Sequence, residues 1–165
     1  IEKRDFDLWP VIEGLIQDLR PLTEPKRISV RNQVPPSCSV FADPVLITRV
    51  FQNLLSNSIE YTLDGEITIG SVISHPDRSV HCWVRDSGEG IPEERIGKVF
   101  DKLETDPHKT GGLGLGLAIV KQVVEAHGGC IRVASKSGEG ASFEFNLPLQ
   151  DADGVPNPMR KDTAA

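Results

Sequence analysis

The chain has 165 residues, an apolar fraction of 38% and a formal net charge of −6 at pH 7. This length is enough for one domain with a hydrophobic core, and the composition is that of a globular protein. The acidic balance argues against nucleic acid or an anionic membrane surface as the main partner, and no apolar run approaches the roughly 20 residues that span a bilayer.

The cysteines favour a reducing compartment. Cys38, Cys82 and Cys130 are far apart and odd in number, which is typical of the cytosol. We therefore expect a cytoplasmic location and neither a disulfide nor a structural zinc site. The chain opens on Ile1 rather than Met, so we interpret it as part of a longer protein.

The first half of the chain alternates short strands with two helices. Pro10 suits the first turn of one helix, and Asp43 followed by Pro44 is typical of an N-cap and first helical position. The predicted elements are strand 6–9, helix 10–22, strands 28–32 and 39–42, and a long helix over 44–61.

The second half is richer in strands. We predict a hairpin over 66–74 and 80–86, a short helix after Pro92, a mobile loop over 100–112, a helix over 113–127, and a hairpin over 130–134 and 141–147. The order predicts an α+β, two-layer sandwich with a mixed, mostly antiparallel sheet of about five strands and about three helices on one face. Residues 1–149 form the expected domain, and 150–165 a disordered tail.

The long helix carries a polar stripe. At about 100° per residue, Asn53, Asn57 and Glu60 fall on one face, while an apolar set that includes Phe51 and Leu54 points to the other. Carboxamide oxygens one turn apart can hold Mg²⁺ jointly with substrate phosphates, without adding negative charge. An ordinary solvated helix face has the same spacing, so the stripe alone decides nothing.

The segment DSGEGIP places an acid at the end of a predicted strand. Asp86 is followed by Gly88 and Gly90, which allow a ligand to approach the backbone closely. A carboxylate fixed there can accept a hydrogen bond from an exocyclic amine such as that of adenine. In isolation the segment is also a common turn signal.

The segment GGLGLGLAIV places Gly112, Gly114 and Gly116 before or within the first turn of an apolar helix. Backbone amides there can collect around phosphate oxygens, with support from the helix dipole. The spacing matches neither the dinucleotide fingerprint nor the P-loop. A flexible hinge that starts a helix is the alternative interpretation.

Taken in order, four segments resemble the ATP-binding catalytic domain of bacterial sensor histidine kinases, within the family that includes gyrase, the Hsp90 chaperone and MutL. They are FQNLLSNSIEYT (51–62), DSGEGIP (86–92), GGLGLGLAIV (111–120) and SGEGASFEF (137–145). The resemblance covers about residues 6–148. It implies a Bergerat-type ATP-binding fold, ATP and Mg²⁺ as cofactors, and transfer of the γ-phosphoryl group to a histidine.

The resemblance also implies roles for single residues. Asn57 is expected to bind the magnesium ion, with Asn53 in support as the second catalytic residue. Asp86 is expected to accept a hydrogen bond from the adenine amine, and Phe100 to stand at the beginning of the ATP lid. The implied ATP-binding set is Asn57, Glu60, Tyr61, Asp86, Gly88, Gly90, Ile91, Phe100, Lys109, Gly112, Leu113, Gly114, Leu115, Gly116, Leu117 and Ser142, the last in place of a threonine near the adenine.

Two positions are informative within the family. One departs from the usual pattern, and the other distinguishes kinases from the ATP-hydrolysing relatives. Glu60 stands where the family often has Lys or Arg, so Lys109 is expected to supply positive charge to the phosphates. Asn53 stands where the ATP-hydrolysing relatives carry a glutamate that activates water as a general base. An amide there favours a kinase, whose nucleophile is a histidine imidazole.

The partners follow from what the resemblance implies. None of the four histidines has the helical surroundings of a phospho-acceptor. We expect the acceptor on a dimerisation domain of the same protein, a response regulator receiver domain as the next partner, and no nucleic acid. The full-length protein is expected to be a homodimer, soluble or membrane-anchored, and this chain a monomer. A non-catalytic nucleotide-binding module and an anti-sigma-type serine kinase remain open as alternatives.

Overall fold

The computed structural model describes residues 1–101 and 116–149. Most of the predicted mobile loop and the whole predicted tail over 150–165 lie outside these ranges. Within them, no helix combines the length and the apolar character that crossing a membrane requires.

Seven strands and five α-helices lie in the described ranges, with a 3-10 turn over Glu24–Lys26. In chain order they are β1 (Arg4–Asp7), α1 (Leu8–Asp18), α2 (Arg20–Thr23), β2 (Ile28–Gln33), β3 (Ser39–Ala42), α3 (Pro44–Glu60), β4 (Gly65–Ser74), β5 (Ser79–Asp86), α4 (Glu93–Ile96), α5 (Gly116–Ala126), β6 (Ile131–Ser135) and β7 (Ala141–Pro148).

Five of the strands form one mixed sheet in the order β2-β4-β5-β7-β6. The β2–β4 pair is parallel, and the β4–β5, β5–β7 and β6–β7 pairs are antiparallel. Strands β1 and β3 pair separately as a small antiparallel ribbon. The helices α1, α3 and α5 pack on one face of the main sheet. The predicted α+β sandwich is therefore confirmed.

Side-chain alternation along the central strands separates a dry face from a wet one. On β5, Val80, Cys82 and Val84 are buried toward the helices, as are the phenylalanines of β7. The ring of Phe51 on α3 lies 5.3 Å from that of Phe145 on β7, measured between centroids. The hydrophobic core therefore lies between α3 and the middle of the sheet.

The opposite face of the sheet is covered in part by Trp83. A Cβ built on Gly70 would lie 2.2 Å from the indole ring, so the ring rests directly on the glycine of the neighbouring strand. The guanidinium carbon of Arg85 lies 4.8 Å from the centre of the Trp83 ring, within cation–π distance. Glycine at position 70 is what allows the indole to lie this close to the backbone.

The N-terminal elements differ from those predicted. The strand is Arg4–Asp7 rather than 6–9, and the helix begins at Leu8 rather than at residue 10, which leaves Pro10 in its first turn as predicted. This helix ends at Asp18, and a separate short helix follows from Arg20. Pro21 explains the break, because it has no N–H and its ring clashes with the carbonyl four residues earlier.

Helix α3 is held at both ends. Asp43 is its N-cap, as predicted, and its Oδ1 accepts hydrogen bonds from the amides of Val45 and Leu46 at 3.0 and 3.2 Å. At the other end the Lys26 ammonium donates to the Ile59 carbonyl, one of the last carbonyls of the helix. The predicted inward face is confirmed: Ile47, Phe51, Leu54, Leu55 and Ser58 are all buried.

We predict that Phe143→Ala lowers the free energy of unfolding by about 3–5 kcal/mol, because the side chain is fully buried and its loss leaves a cavity. Urea denaturation is the measurement, with Val72→Ala on the wet face of β4 as the matched control. Val72 is 54% exposed, so its truncation should change stability by less than about 0.5 kcal/mol. Equal losses in the two variants would contradict the placement of the core.

Candidate functional site

A cavity of about 290 Å³ opens between the C-terminal half of α3, the segment that follows β5, and the first turn of α5. Its volume is at the lower end of the range for small-molecule sites. The described residues that line it are Asn57, Tyr61, Asp86, Glu89, Gly90, Ile91, Pro92, Arg95, Val99, Leu117, Ser137 and Ala141. Six of these belong to the predicted ATP-binding set: Asn57, Tyr61, Asp86, Gly90, Ile91 and Leu117.

Asp86 is the last residue of β5, and one of its oxygens joins three segments. Its Oδ1 accepts the amide of Gly88 at 2.9 Å and, more loosely, that of Ala141 at 3.3 Å. Both bonds end on the same oxygen. The second oxygen, Oδ2, accepts no backbone N–H in the ranges described, and a ligand in the cavity can use it.

Burial raises the pKa of Asp86 above its usual 3.8, because desolvation disfavours the charged form. The Gly88 amide, the Ser58 hydroxyl and the Ala141 amide act in the opposite direction and lower the pKa. The Ser58 hydroxyl does so without meeting the geometry of a full hydrogen bond. A ligand N–H that donates to this carboxylate would further offset the cost of its burial.

Two buried hydroxyls beneath Asp86 have no hydrogen-bond partner among the described residues. They belong to Ser58 and Thr62, one turn apart at the end of α3. Buried hydroxyls are rarely left unpaired, and ordered water or a ligand usually satisfies such groups. This pair fits a polar ligand that enters the cavity with its own donors and acceptors.

The glycines after β5 serve the packing of the cavity wall. A Cβ at Gly88 would lie 2.3 Å from the Tyr61 carbonyl oxygen, and one at Gly90 would lie 2.0 Å from the Lys136 carbonyl oxygen. Gly90 also has a φ of +73°, which side-chain-bearing residues rarely adopt. The close approach that requires glycine here is therefore made by neighbouring backbone.

Two hydrogen bonds join the hairpin of β6 and β7 to this wall, and a third lies within the hairpin itself. The Ile91 amide donates to Ser135 Oγ at 2.8 Å, and that hydroxyl donates to the Gly140 carbonyl at 2.6 Å. The Gly138 amide donates to the Glu89 carbonyl at 2.6 Å. The wall is thus a built surface, with hydrogen bonds that reach into the sheet.

The asparagines lie toward α5. Asn57 lines the cavity, and Asn53 lies one turn earlier on α3, where a Cβ built on Gly116 would be 3.8 Å from its Oδ1. Gly116 is the first described residue of α5, and its backbone lies against the Asn53 side chain. Two neutral amide oxygens one turn apart on α3 fit a phosphate chain with a bound Mg²⁺.

Some predicted residues are not brought to the cavity. Glu60, the last residue of α3, is not among the described lining residues although it shares the helix face of Asn57. Ser142 is directed away from it by the alternation of β7, so Ala141 takes the position expected for Ser142. The Ser142 hydroxyl instead accepts from Arg85 and donates to Glu144 on the wet face.

Phe100 lies behind the cavity. Its ring packs edge-on against Phe143, with centroids 6.2 Å apart, while the preceding Val99 lines the cavity. The remaining members of the predicted set lie outside the described residues: Lys109, Gly112, Leu113, Gly114 and Leu115.

The sequence reasoning missed half of the lining residues: Glu89, Pro92, Arg95, Val99, Ser137 and Ala141. The register of the sheet could have revealed Ala141, which lies directly opposite Asp86 on the neighbouring strand. Arg95 lies on α4, the short helix predicted after Pro92, and Val99 lies just beyond it, and no sequence signal placed either side chain at the cavity.

Comparisons with known proteins agree with this geometry. A family model described as "Histidine kinase-, DNA gyrase B-, and HSP90-like ATPase" matches residues 42–151. The adaptive-response sensory kinase SasA of Parasynechococcus marenigrum is 34% identical over 90% of this chain, and the sensor histidine kinase WalK of Bacillus subtilis is 34% identical over 84%. The chain spans 40% of SasA and 24% of WalK, so it corresponds to part of each.

A solved structure matches over almost its whole length. The nucleotide-free catalytic domain of the histidine kinase ThkA superposes with a TM-score of 0.80 and is 31% identical, covering 94% of this chain and 98% of its own. The chain therefore belongs to the histidine kinase-, DNA gyrase B- and HSP90-like ATPase family, with the fold of a catalytic ATP-binding domain of a sensor histidine kinase.

Proposed function

We propose that this domain binds ATP together with Mg²⁺ in the cavity and transfers the γ-phosphoryl group to a histidine on a separate domain. The observation that carries the proposal is the Asp86 carboxylate, which lines a closed wall with Oδ2 available and has two unpaired hydroxyls beneath it. Asn57 and Asn53 extend the site from this point toward the first amide of α5.

The Asp86 end of the cavity suits a purine base. A carboxylate oxygen accepts the exocyclic amine of adenine, whereas guanine presents a carbonyl oxygen at the same position and would be repelled. Ile91, Val99 and Leu117 supply apolar surface for the faces of the ring. The site should therefore discriminate in favour of adenine nucleotides.

The asparagine end suits the phosphates. Asn57 is expected to hold the metal through its side-chain oxygen, and Asn53 to orient the neighbouring ligands. A bound Mg²⁺ would supply charge neutralisation across the phosphate oxygens. The backbone of Gly116 lies against Asn53 at this end and is a candidate donor to the phosphates, so the protein contributes mainly by positioning and electrostatics.

The lining favours phosphoryl transfer over hydrolysis. A general base that activates water must have a carboxylate or imidazole within hydrogen-bond reach of the attacking atom. Position 53, at the proposed phosphate end, carries an amide, which cannot act as that base, and the Asp86 carboxylate lies at the adenine end of the proposed site. An imported histidine nucleophile does not need such a base, because neutral imidazole is itself nucleophilic near pH 7.

Two partners follow from this reaction. The acceptor is a histidine-bearing dimerisation domain of the same protein, and a response regulator receiver domain takes the phosphoryl group next. The relatives reported above are sensor kinases, which supports this pairing. We propose a homodimeric full-length protein.

We predict that Asp86→Asn weakens ATP binding by roughly 1.5–3 kcal/mol, the range for a hydrogen bond to a charged group. The asparagine Oδ1 can keep both backbone hydrogen bonds, while its NH₂ replaces the acceptor that faces the adenine amine. Calorimetric titration with ATP and with GTP is the measurement. Asp18→Asn, an exposed acid on α1, is the control and should leave the affinity unchanged.

The same variant should be at least as stable as the wild type at pH 7. Because the folded pKa of Asp86 is above the unfolded value of 3.8, the wild-type free energy of unfolding falls as pH rises through that interval. Asp86→Asn does not undergo this loss of stability. Its free energy of unfolding, measured by denaturation from acid to neutral pH, should therefore exceed that of the wild type by more as the pH rises.

For the binding prediction, equal affinity of the wild type for ATP and GTP would refute the role of Asp86.

We predict that Asn57→Ala abolishes the tightening of ATP binding by Mg²⁺, lowering affinity at saturating Mg²⁺ by about tenfold or more. Affinity measured in EDTA should change little, because the adenine end of the site is intact. Ser56→Ala, on the exposed side of the same helix, is the matched control. If Mg²⁺ tightens binding equally in both variants, Asn57 is not the metal ligand.

Transfer itself is tested with γ-labelled ATP, the chain and an acceptor domain from the same protein. We expect acid-labile label on the acceptor histidine, and none with Asn57→Ala. Label on a serine would favour the serine-kinase alternative. ATP binding without any transfer would favour a non-catalytic nucleotide-binding module.

A further inference from the structure

Helices α3 and α5 lie side by side and in opposite directions, with a contact at each end of α5. Gly116, at its start, lies against Asn53, and His127, just after its end, reaches Asp43. From Asp43 to Asn53 is about 15 Å along α3, and from Gly116 to His127 about 16 Å along α5, at 1.5 Å per residue. The two lengths match.

His127 is the polar part of this arrangement. It is only 3% exposed, and both of its ring nitrogens have partners. Nδ1 lies 2.7 Å from the Val123 carbonyl oxygen, and Nε2 accepts the amide of Asp43 at 3.1 Å. A neutral ring with its proton on Nδ1 is the form that makes both bonds.

Asp43 connects the ring to other parts of the fold. Its backbone amide donates to His127, its Oδ1 caps α3, and its Oδ2 accepts the amide of Glu2 at 2.9 Å. These hydrogen bonds lower the pKa of Asp43, the bond from Glu2 most of all. The first turn of α3, the end of α5 and the residues before β1 therefore meet at this one residue.

The remaining contact between α5 and the core is apolar. Ala118, Val120 and Val124 are buried, and the hydrophobic effect that buries them is non-directional. It therefore does not set the exact position of α5 along α3. A hydrogen bond from a ring to a backbone amide has a defined distance and angle. The bond from Asp43 to His127 is thus suited to fixing how far α5 lies along α3.

We propose that His127 is a positioning residue that sets the register of α5 against α3, and through it the place of Gly116 beside Asn53. The inference rests on the proposed function, because it concerns the phosphate end of the same site. His127 touches no ligand, and it acts through the helix that separates it from the phosphates. The adenine end depends on it less, because Asp86 and Ala141 belong to β5 and β7, and Leu117 alone among the described lining residues belongs to α5.

The test compares His127→Gln with His127→Asn in the 165-residue chain. The Gln carbonyl can reach the place of Nε2 and accept the Asp43 amide, whereas Asn is too short and can satisfy Val123 alone. We expect His127→Asn to weaken binding of Mg²⁺-ATP about tenfold, as small misplacements of a binding group do, and His127→Gln to retain most of it. Adenosine affinity should change less than about twofold in both.

His75→Gln is the control, because His75 is an exposed histidine in the β4–β5 turn. Thermal unfolding of every variant is measured in parallel. Equal loss of adenosine and Mg²⁺-ATP affinity in His127→Asn would indicate a purely structural role and overturn the inference, as would identical Mg²⁺-ATP affinity in the two variants. A wild type that binds neither ligand would overturn the proposed function together with this inference.

Discussion

One carboxylate oxygen holds the candidate site together. Oδ1 of Asp86 binds the segment that follows β5 through Gly88 and the neighbouring strand through Ala141. Because a single oxygen accepts both bonds, the other oxygen remains available to a ligand while the hydrogen bonds that hold the cavity wall stay intact. The burial that makes this geometry possible also raises the pKa of the acid. A ligand amine that donated to the second oxygen would offset part of the cost of burying this carboxylate.

Helix α3 joins the core to the site. Its inner face buries Phe51 and Leu54 against the sheet, and its outer face carries both asparagines. Caps at both ends, from Asp43 and Lys26, fix where the helix begins and ends, and so where each side chain lies. A substitution in the core of this helix would consequently alter the placement of both asparagines as well as stability, because the two faces cannot move independently.

The sequence was most informative where a clear periodicity of apolar and polar residues coincided with a residue type of defined chemical role. The stripe of α3 and the strand end at Asp86 could be placed from spacing alone. Ser142 shows the limit: one step along a strand moves a side chain to the other face, and only the register against β5 reveals that Ala141 lines the cavity. Arg95 and Val99 were missed because they follow β5 in a segment whose path depends on tertiary contacts.

Neither indole lies at the cavity. Trp83 rests on Gly70 on the far side of the sheet, and Trp9 packs against the core from α1. The two are the whole tryptophan content of the chain. Tryptophan emission, as distinct from that of Tyr61 at the cavity, would therefore follow the integrity of the sheet and of the N-terminal helix rather than occupancy of the site, which makes it suitable for monitoring unfolding in the presence of nucleotide.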